Sequence, residues 1–232
     1  MATSVTALHL PTTSSTQDEA RRRFAGVPVL VTAGAQAAGR GRSGAKWVDA
    51  DRALAASVAF GPRWVPSAWP RIPLVAGLAA VDVLGDVGLK WPNDVVRGSA
   101  KIAGILSESD GTVVVVGMGV NLWWPSPIEG AGALWDEDPG PGAGWELAES
   151  WVARLLDRLE AGPDDWGREE YESCCTVIGR EITWDPGGSG IATGVDAFGR
   201  LIVDVGGELE ALDSEEVRLV RAAPPDDATG DG

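Results

Sequence analysis

The stretch Lys90-Trp91-Pro92-Asn93-Asp94, followed after a polar break by Lys101-Ile102-Ala103-Gly104-Ile105-Leu106, decides how the rest of the chain is read. Pro92 has no N–H for a ladder and biases Trp91 to an extended backbone. A strand is therefore predicted to end at Lys90, with Asn93 and Asp94 in the turn beyond it. Val95-Val96, the break Arg97-Gly98-Ser99 and the apolar run from Ile102 predict two strands joined by a glycine-containing loop. Folding that hairpin carries Lys101 back towards Asn93 and Asp94, gathering two ammonium groups, an amide and a carboxylate on a small area of sheet. An exposed hairpin with ordinary charged tips explains this stretch, taken alone, equally well.

Composition favours the first reading. Lysine occurs only at Lys46, Lys90 and Lys101, so sixteen of the nineteen basic residues are arginine. Asparagine occurs only at Asn93 and Asn121, and glutamine only at Gln17 and Gln36. These scarce types fall in a few short stretches. Arginine can replace lysine on a solvated face, but not where a compact, mobile point charge is required.

A length of 232 residues suits one large domain plus a small one. The net charge of -15 argues against nucleic acid as a partner, because phosphate binding needs a basic face. No apolar run approaches the length that spans a bilayer, and the N-terminus lacks a basic segment followed by an apolar one, so a cytoplasmic protein is expected. Cys174 and Cys175 are sequence neighbours and are expected to be buried, reduced thiols. His9 is the only histidine, which makes histidine-based triads and histidine-rich metal sites improbable, and no metal ligands are assigned.

Outward from the centre, Val5 to Leu10 predicts a first strand and Pro11 to Ser15 a polar connection. Ser14 or Ser15 can cap the helix that follows, with Asp18 and Glu19 in its first turn. After a strand from Val27 to Thr32 comes the run from Gln36 to Trp47, with three glycines, three cations and no acid in twelve residues. Its glycines allow close backbone approach and its guanidinium groups match phosphate, although flexible basic loops are common. Between Gly34 and Ala45 it is expected to be mobile without ligand. Ala53 to Phe60 reads as a strand and Trp69 to Leu84 as a helix. Val113 to Met118 reads as a strand ending in the glycines of Gly117-Met118-Gly119-Val120-Asn121, against which something flat could lie. Residues 123–144 are expected to form a long loop, followed by helices from Trp145 to Leu159 and from about Asp164 to Cys174. Most of the eleven tryptophans are expected to pack in the core and loops. Beyond Thr176, four short apolar segments separated by Gly and Asp turns predict a small antiparallel barrel or sandwich, and residues 222–232 a disordered tail.

With these motifs placed, the chain resembles a biotin protein ligase. The resemblance is carried by Ser15-Thr16-Gln17, Gln36 to Trp47, Lys90 to Asp94, Lys101 to Leu106 with Glu108, and Gly117 to Asn121. It implies an α+β fold: a mixed-sheet catalytic domain of the biotin/lipoate ligase type over residues 1–175 and a small SH3-like β-barrel over 176–221. It implies that biotin and ATP, with magnesium, form biotinyl-5′-adenylate, and that biotin then passes to one lysine of a biotin carboxyl carrier domain. By the same resemblance Ser15, Thr16, Gln36, Gly39, Arg40, Gly104 and Gly117 would contact biotin, with Lys101 at its carboxylate. Arg42, Trp47, Lys90, Asn93 and Asn121 would face the nucleotide. Lys101, Arg42 and Asp94 would be catalytic, Asp94 either orienting the site or acting as a base towards the carrier lysine. The chain departs from the family at Ser43 and Ala45, where further arginines are usual, and at Gln17, where Asn is common. No DNA-binding domain precedes the first strand, so a repressor role is not expected. The oligomeric state is expected to be monomer or homodimer.

The chemistry fits independently of the resemblance. A carboxylate and an α-phosphate are both anions, so joining them requires fixed positive charge in a dry site, and Lys101, Arg40 and Arg42 could supply it. Two other readings compete: a lipoate or octanoyl transfer enzyme of the same core fold, and a module that binds biotin or its adenylate without ligating it.

Overall fold

The computed structural model describes residues 4–45, 47–214 and 219–222. Lys46 and most of the expected tail, 223–232, therefore lie outside the described residues. The chain divides into two compact units, Met1–Thr176 and Val177–Gly232.

The first unit holds a seven-stranded mixed sheet. In chain order its strands are β1 (Thr6–Thr13), β2 (Val29–Gln36), β3 (Arg52–Phe60), β4 (Gly88–Lys90), β5 (Asp94–Arg97), β6 (Ala100–Ser109) and β7 (Val114–Trp123). Across the sheet the order is β1-β2-β3-β7-β6-β5-β4, with β1 and β2 parallel and every other pair antiparallel. β1 runs three residues past Leu10 and takes in Pro11. Proline is tolerated there because β1 is an edge strand and no further ladder needs its missing N–H.

Three helices cover the two faces unequally. Side chains alternate along a strand, so Val29, Val31, Ala59 and Val115 share one face, and Ala20 of α1 (Thr16–Arg23) packs on them. On the opposite face lie α2 (Ile72–Leu84), whose Gly77 approaches Leu89 and Ile105, and α3 (Gly144–Leu159), whose Gly144 approaches Leu54. Trp151 of α3 donates from Nε1 to Ala76 O at 3.0 Å and clamps these two helices together. A short helix, α4 (Arg168–Cys174), follows Gly167 at φ 89°.

Several expectations are corrected. The helix expected from Trp69 begins at Ile72, because Pro66–Arg71, with Pro70 inside, winds as a 3-10 segment. Pro66–Leu84 as a whole is long and apolar enough by length and composition to cross a membrane, contrary to the sequence expectation, yet most of it is buried within the protein. Its apolarity comes from core packing on several sides. β2 extends to Gln36 and β7 to Trp123, so Gly34, Gly117 and Gly119 are strand residues. The β3–β7 ladder slips at Arg52/Ala53 and not at the glycines.

Five of the eleven tryptophans, Trp64, Trp91, Trp151, Trp166 and Trp184, are buried. Cys174 and Cys175 are free thiols, and burial pushes the Cys174 thiol up to about 11.

The second unit is an antiparallel sheet of β8 (Glu181–Asp185), β9 (Gly188–Val195), β10 (Leu201–Val205), β11 (Glu208–Leu212) and β12 (Leu219–Ala222), in the order β11-β10-β9-β8-β12. The fifth strand was not anticipated. In the sequence its four residues follow Asp213 to Arg218, a stretch with no glycine or proline to mark a strand boundary.

Candidate functional site

On the α1 side of the large sheet, one row of paired residues crosses five strands: Ala33, Ala55, Gly119, Gly104 and Asp94. Nothing larger than a methyl group stands on this row until Asp94, so it forms a floor without side chains. The parallel row through Ser57, Gly117 and Leu106 borders it. The Trp47 ring lies flat on the floor: a Cβ added at Gly119 would be 2.9 Å from Trp47 Cζ2, and one at Gly104 3.1 Å from Trp47 Cζ3. A Cβ at Gly117 would stand 2.8 Å from Gln17 Nε2. Mid-strand glycines weaken a strand, and here they leave room for flat groups against the backbone.

At one end of the floor the groups are neutral. Ser15 caps α1 through Asp18 N at 3.4 Å. Gln36 Oε1 accepts from Thr16 N at 2.8 Å and from Thr16 Oγ1 at 3.1 Å. Thr16 Oγ1 also lies 2.8 Å from Ser57 Oγ. A hydroxyl has one proton, so with Thr16 donating to Gln36, Ser57 must donate to Thr16. The relay consumes Gln36 Oε1 and leaves the Gln36 amide nitrogen to face the loop at Gly39. Gln17 donates from Nε2 to Leu106 O at 3.1 Å, while its buried Oε1 has no hydrogen-bond partner among the described residues. Such an acceptor costs about 1–3 kcal/mol unless a donor is supplied.

At the other end the groups are charged. β4 stops at Lys90, Trp91 is buried beneath the turn, and Asp94 opens β5 opposite Lys90. Lys101 Nζ lies 2.5 Å from Asp94 Oδ1 and 5.6 Å from the centre of the Trp47 ring. Asn93 is fixed by its Nδ2 donating to Ile105 O at 2.8 Å, and Arg42 NH1 approaches its Oδ1 at 3.5 Å. Burial lowers the Arg42 pKa, opposed by the nearby Asp94 carboxylate. The second cation of the cluster is thus Arg42. Lys90, expected to join, makes no ion pair among the described residues.

The glycine-rich connection folds over the floor. It begins at Ala37, whose N–H donates to Thr13 O at 3.0 Å, and Trp47 N donates to Gly39 O at 3.2 Å. Arg40 grips both Asp18 oxygens, at 2.8 and 2.9 Å, and reaches Glu108 at 3.2 Å. Hydrogen bonding from Arg40 holds the Asp18 carboxyl below its usual range, and the Arg40 pKa is raised correspondingly. With Arg40 38% exposed, this tie is worth at most about 1 kcal/mol and is easily exchanged.

Comparison with known proteins identifies the family. Residues 10–122 match the Biotin/lipoate A/B protein ligase family. The chain is 34% identical over 215 residues to a biotin–acetyl-CoA-carboxylase ligase of Mycobacterium tuberculosis, covering 83% of this chain and 79% of the relative. The chain belongs to the biotin protein ligase family. A second ligase of that name, from Paracoccus denitrificans, is 39% identical over 127 residues, covering 49% of this chain and 53% of the relative. The family fold is matched by a biotin protein ligase from Aquifex aeolicus solved with biotin and ATP, at TM-score 0.82 and 23% identity over 94% of this chain and 99% of that one.

Of the residues assigned through the family resemblance, Thr16, Gln36, Gly39, Gly104 and Gly117 lie on or beside the floor. Arg42, Asn93, Asp94 and Lys101 gather at its charged end, with Trp47 across the glycines between. Ser15 spends its hydroxyl on the helix cap. Asn121 is buried, with its amide nitrogen donating to Gly132 O at 2.9 Å. The sequence reading missed Ser57 and passed over Gln17 as a departure. A signal existed for both: Ser57 is the only polar residue in the run Ala53–Phe60, and Gln17 is one of two glutamines.

Proposed function

We propose that the chain activates biotin with ATP as biotinyl-5′-adenylate and transfers it to a lysine of the biotin carboxyl carrier domain of acetyl-CoA carboxylase. The observation that carries this is the cluster of Lys101, Arg42, Asn93 and Asp94 at the end of a floor without side chains. Biotin's ureido ring carries two N–H donors and one carbonyl. The Gln36 amide nitrogen, which makes no hydrogen bond among the described residues, suits the carbonyl, and Gln17 Oε1, likewise unpartnered among them, suits an N–H. Thr16, Gly39, Arg40, Gly104 and Gly117 complete that end, and the valeryl chain then runs along the glycines towards Lys101.

Lys101 leaves Asp94 for the biotin carboxylate, an exchange that costs little because the pair is partly exposed and worth about 1 kcal/mol or less. The carboxylate oxygen attacks the α-phosphorus of ATP and pyrophosphate leaves. Arg42 and Lys101 offset the charge that accumulates between two anions, with Asn93, Trp47, Lys90 and Asn121 on the nucleotide side. Magnesium enters as the companion of the nucleotide's phosphates, part of the substrate. In the second step the carrier lysine nitrogen attacks the acyl carbon and AMP leaves. Asp94, released by Lys101, is placed to orient that amine or take its proton.

The same reading assigns residues 1–175 to catalysis and 176–221 to an SH3-like barrel. It places the reaction in the cytoplasm, where ATP is available and paired thiols stay reduced, in a monomer or homodimer. The test is biotin-dependent exchange between pyrophosphate and ATP, followed by transfer of biotin to an isolated carrier domain. Exchange without transfer contradicts ligation, and lipoate-dependent exchange in place of biotin-dependent exchange points to the related transfer enzymes.

A further inference from the structure

Lys101 stands where the β6–β7 ladder has ended: pairing of the two strands runs from Ala103 with Val120 to Ser109 with Val114. On the other side β6 slips register against β5 between Val95 and Val96. A strand end of this kind leaves main-chain polar groups that need partners. The connection between β7 and α3 supplies them. Lys101 N donates to Gly130 O at 2.8 Å, and Gly132 N donates to Lys101 O at 2.9 Å, so residues 130–132 form a strap along Lys101.

Asn121 holds the strap in place. Its Nδ2 donates to Gly132 O at 2.9 Å and lies 3.5 Å from Lys101 O, so one amide group touches both sides of the junction. Its main-chain carbonyl accepts from Leu134 N at 2.8 Å. Gly132 lets the strap lie this close, since a Cβ there would stand 3.0 Å from Ala100 Cβ. Asn121 is 3% exposed, so these contacts are shielded from water.

We propose that Asn121 is a positioning residue for Lys101: its amide fastens the 130–132 strap to β6, and the strap fixes the main chain from which the Lys101 ammonium is aimed. This rests on the role given to Lys101 above. A flexible side chain on a loose backbone loses orientation, and misplacement by about 1 Å can cost roughly a hundredfold in rate.

Asn121→Asp tests it. An ionised carboxylate has no donor for the two carbonyls, whereas a protonated one restores a single O–H donor, and burial raises its pKa. Expected is a kcat for pyrophosphate exchange about 10–100-fold below wild type at pH 8, with KM for biotin within about threefold. The deficit relative to wild type shrinks at least about threefold by pH 6, while Asn121→Ala shows a deficit that does not recover. Gly132→Ala loosens the strap without touching Asn121, lowers kcat in the same way, and decides the matter if the Asp variant does not fold. Hydrogen exchange at the Lys101 amide accelerates at least about tenfold in Asn121→Ala and Gly132→Ala, whether or not the chain ligates biotin. Unchanged exchange at that amide, or wild-type kcat in folded Gly132→Ala, overturns the proposal. A wild type that exchanges no pyrophosphate counts against the function reading, and the amide exchange then decides the strap alone.

Discussion

The two ends of the floor are held by different physics. The neutral end, Ser57 to Thr16 to Gln36, is a chain of buried and half-buried hydrogen bonds made within the protein, with Ser57 1% exposed. The charged end is held by the Lys101–Asp94 ion pair, with Lys101 37% and Asp94 22% exposed, and by the contact of Arg42 with Asn93. A buried network is costly to rearrange because an unpaired polar group in a low dielectric is expensive, whereas a partly solvated ion pair exchanges partners at little cost. One end is therefore rigid, and the other can change partners at little cost. Loss of Lys101 should reach the rate constant of adenylate formation, and lesions in the neutral end should reach biotin binding.

The largest effect is expected from Lys101→Ala, which removes the compact cation that the proposed reaction sets at the attacking carboxylate. Adenylate formation should fall by about a hundredfold or more, while thermal unfolding stays close to wild type because the lost ion pair is partly exposed. Near-normal pyrophosphate exchange in the folded variant would remove Lys101 from the chemistry. Gly117→Val probes the neutral end: the new side chain meets Gln17 Nε2 and Ser57 Oγ, whose distances from even a bare Cβ are 2.8 and 3.1 Å. KM for biotin should rise by about tenfold or more with kcat much less affected. A fall in kcat at unchanged KM would break the comparison.

On the proposed assignment Arg42→Gly should still make adenylate, at a reduced rate, but hold it less well, since its guanidinium lies beside Asn93. Labelling of an unrelated lysine-rich protein, with biotin and ATP present, should rise by about tenfold as release accelerates. No excess labelling by a variant that still turns over ATP would remove this clamp role from Arg42.

The smallest effect concerns the tie from Arg40 to Asp18. The Asp18 carboxyl has its pKa lowered in the folded state, so its contribution is fully present above the unfolded value and is lost as pH falls through the folded one. Limited proteolysis of the 37–47 connection should thus quicken in acid for wild type, whereas Asp18→Asn should cut quickly already at neutral pH. A wild type and an Asp18→Asn variant cut alike at pH 7 would show that the tie does not hold the connection.

Residue types and local spacing settled much of this in advance. Pro92 ended a strand at Lys90, the break at Arg97-Gly98-Ser99 turned β5 into β6, and the scarcity of Lys, Asn and Gln marked Lys101, Asn93 and Gln36, because backbone restriction and unusual chemistry are properties of a few neighbouring residues. Register was decided only in three dimensions. Gly104 and Gly119 are fifteen residues apart in the chain and become one floor under Trp47 through a ladder whose pairing no local signal states. Arg42 reaches Asn93 while Lys90 makes no ion pair among the described residues, since the fold of the glycine-rich connection, and not charge or motif membership, selects which cation arrives there. The strap on Lys101 was invisible too: a glycine-rich loop reads as a connection until a strand end with unpaired main-chain groups lies beside it, and only tertiary structure brings the two together.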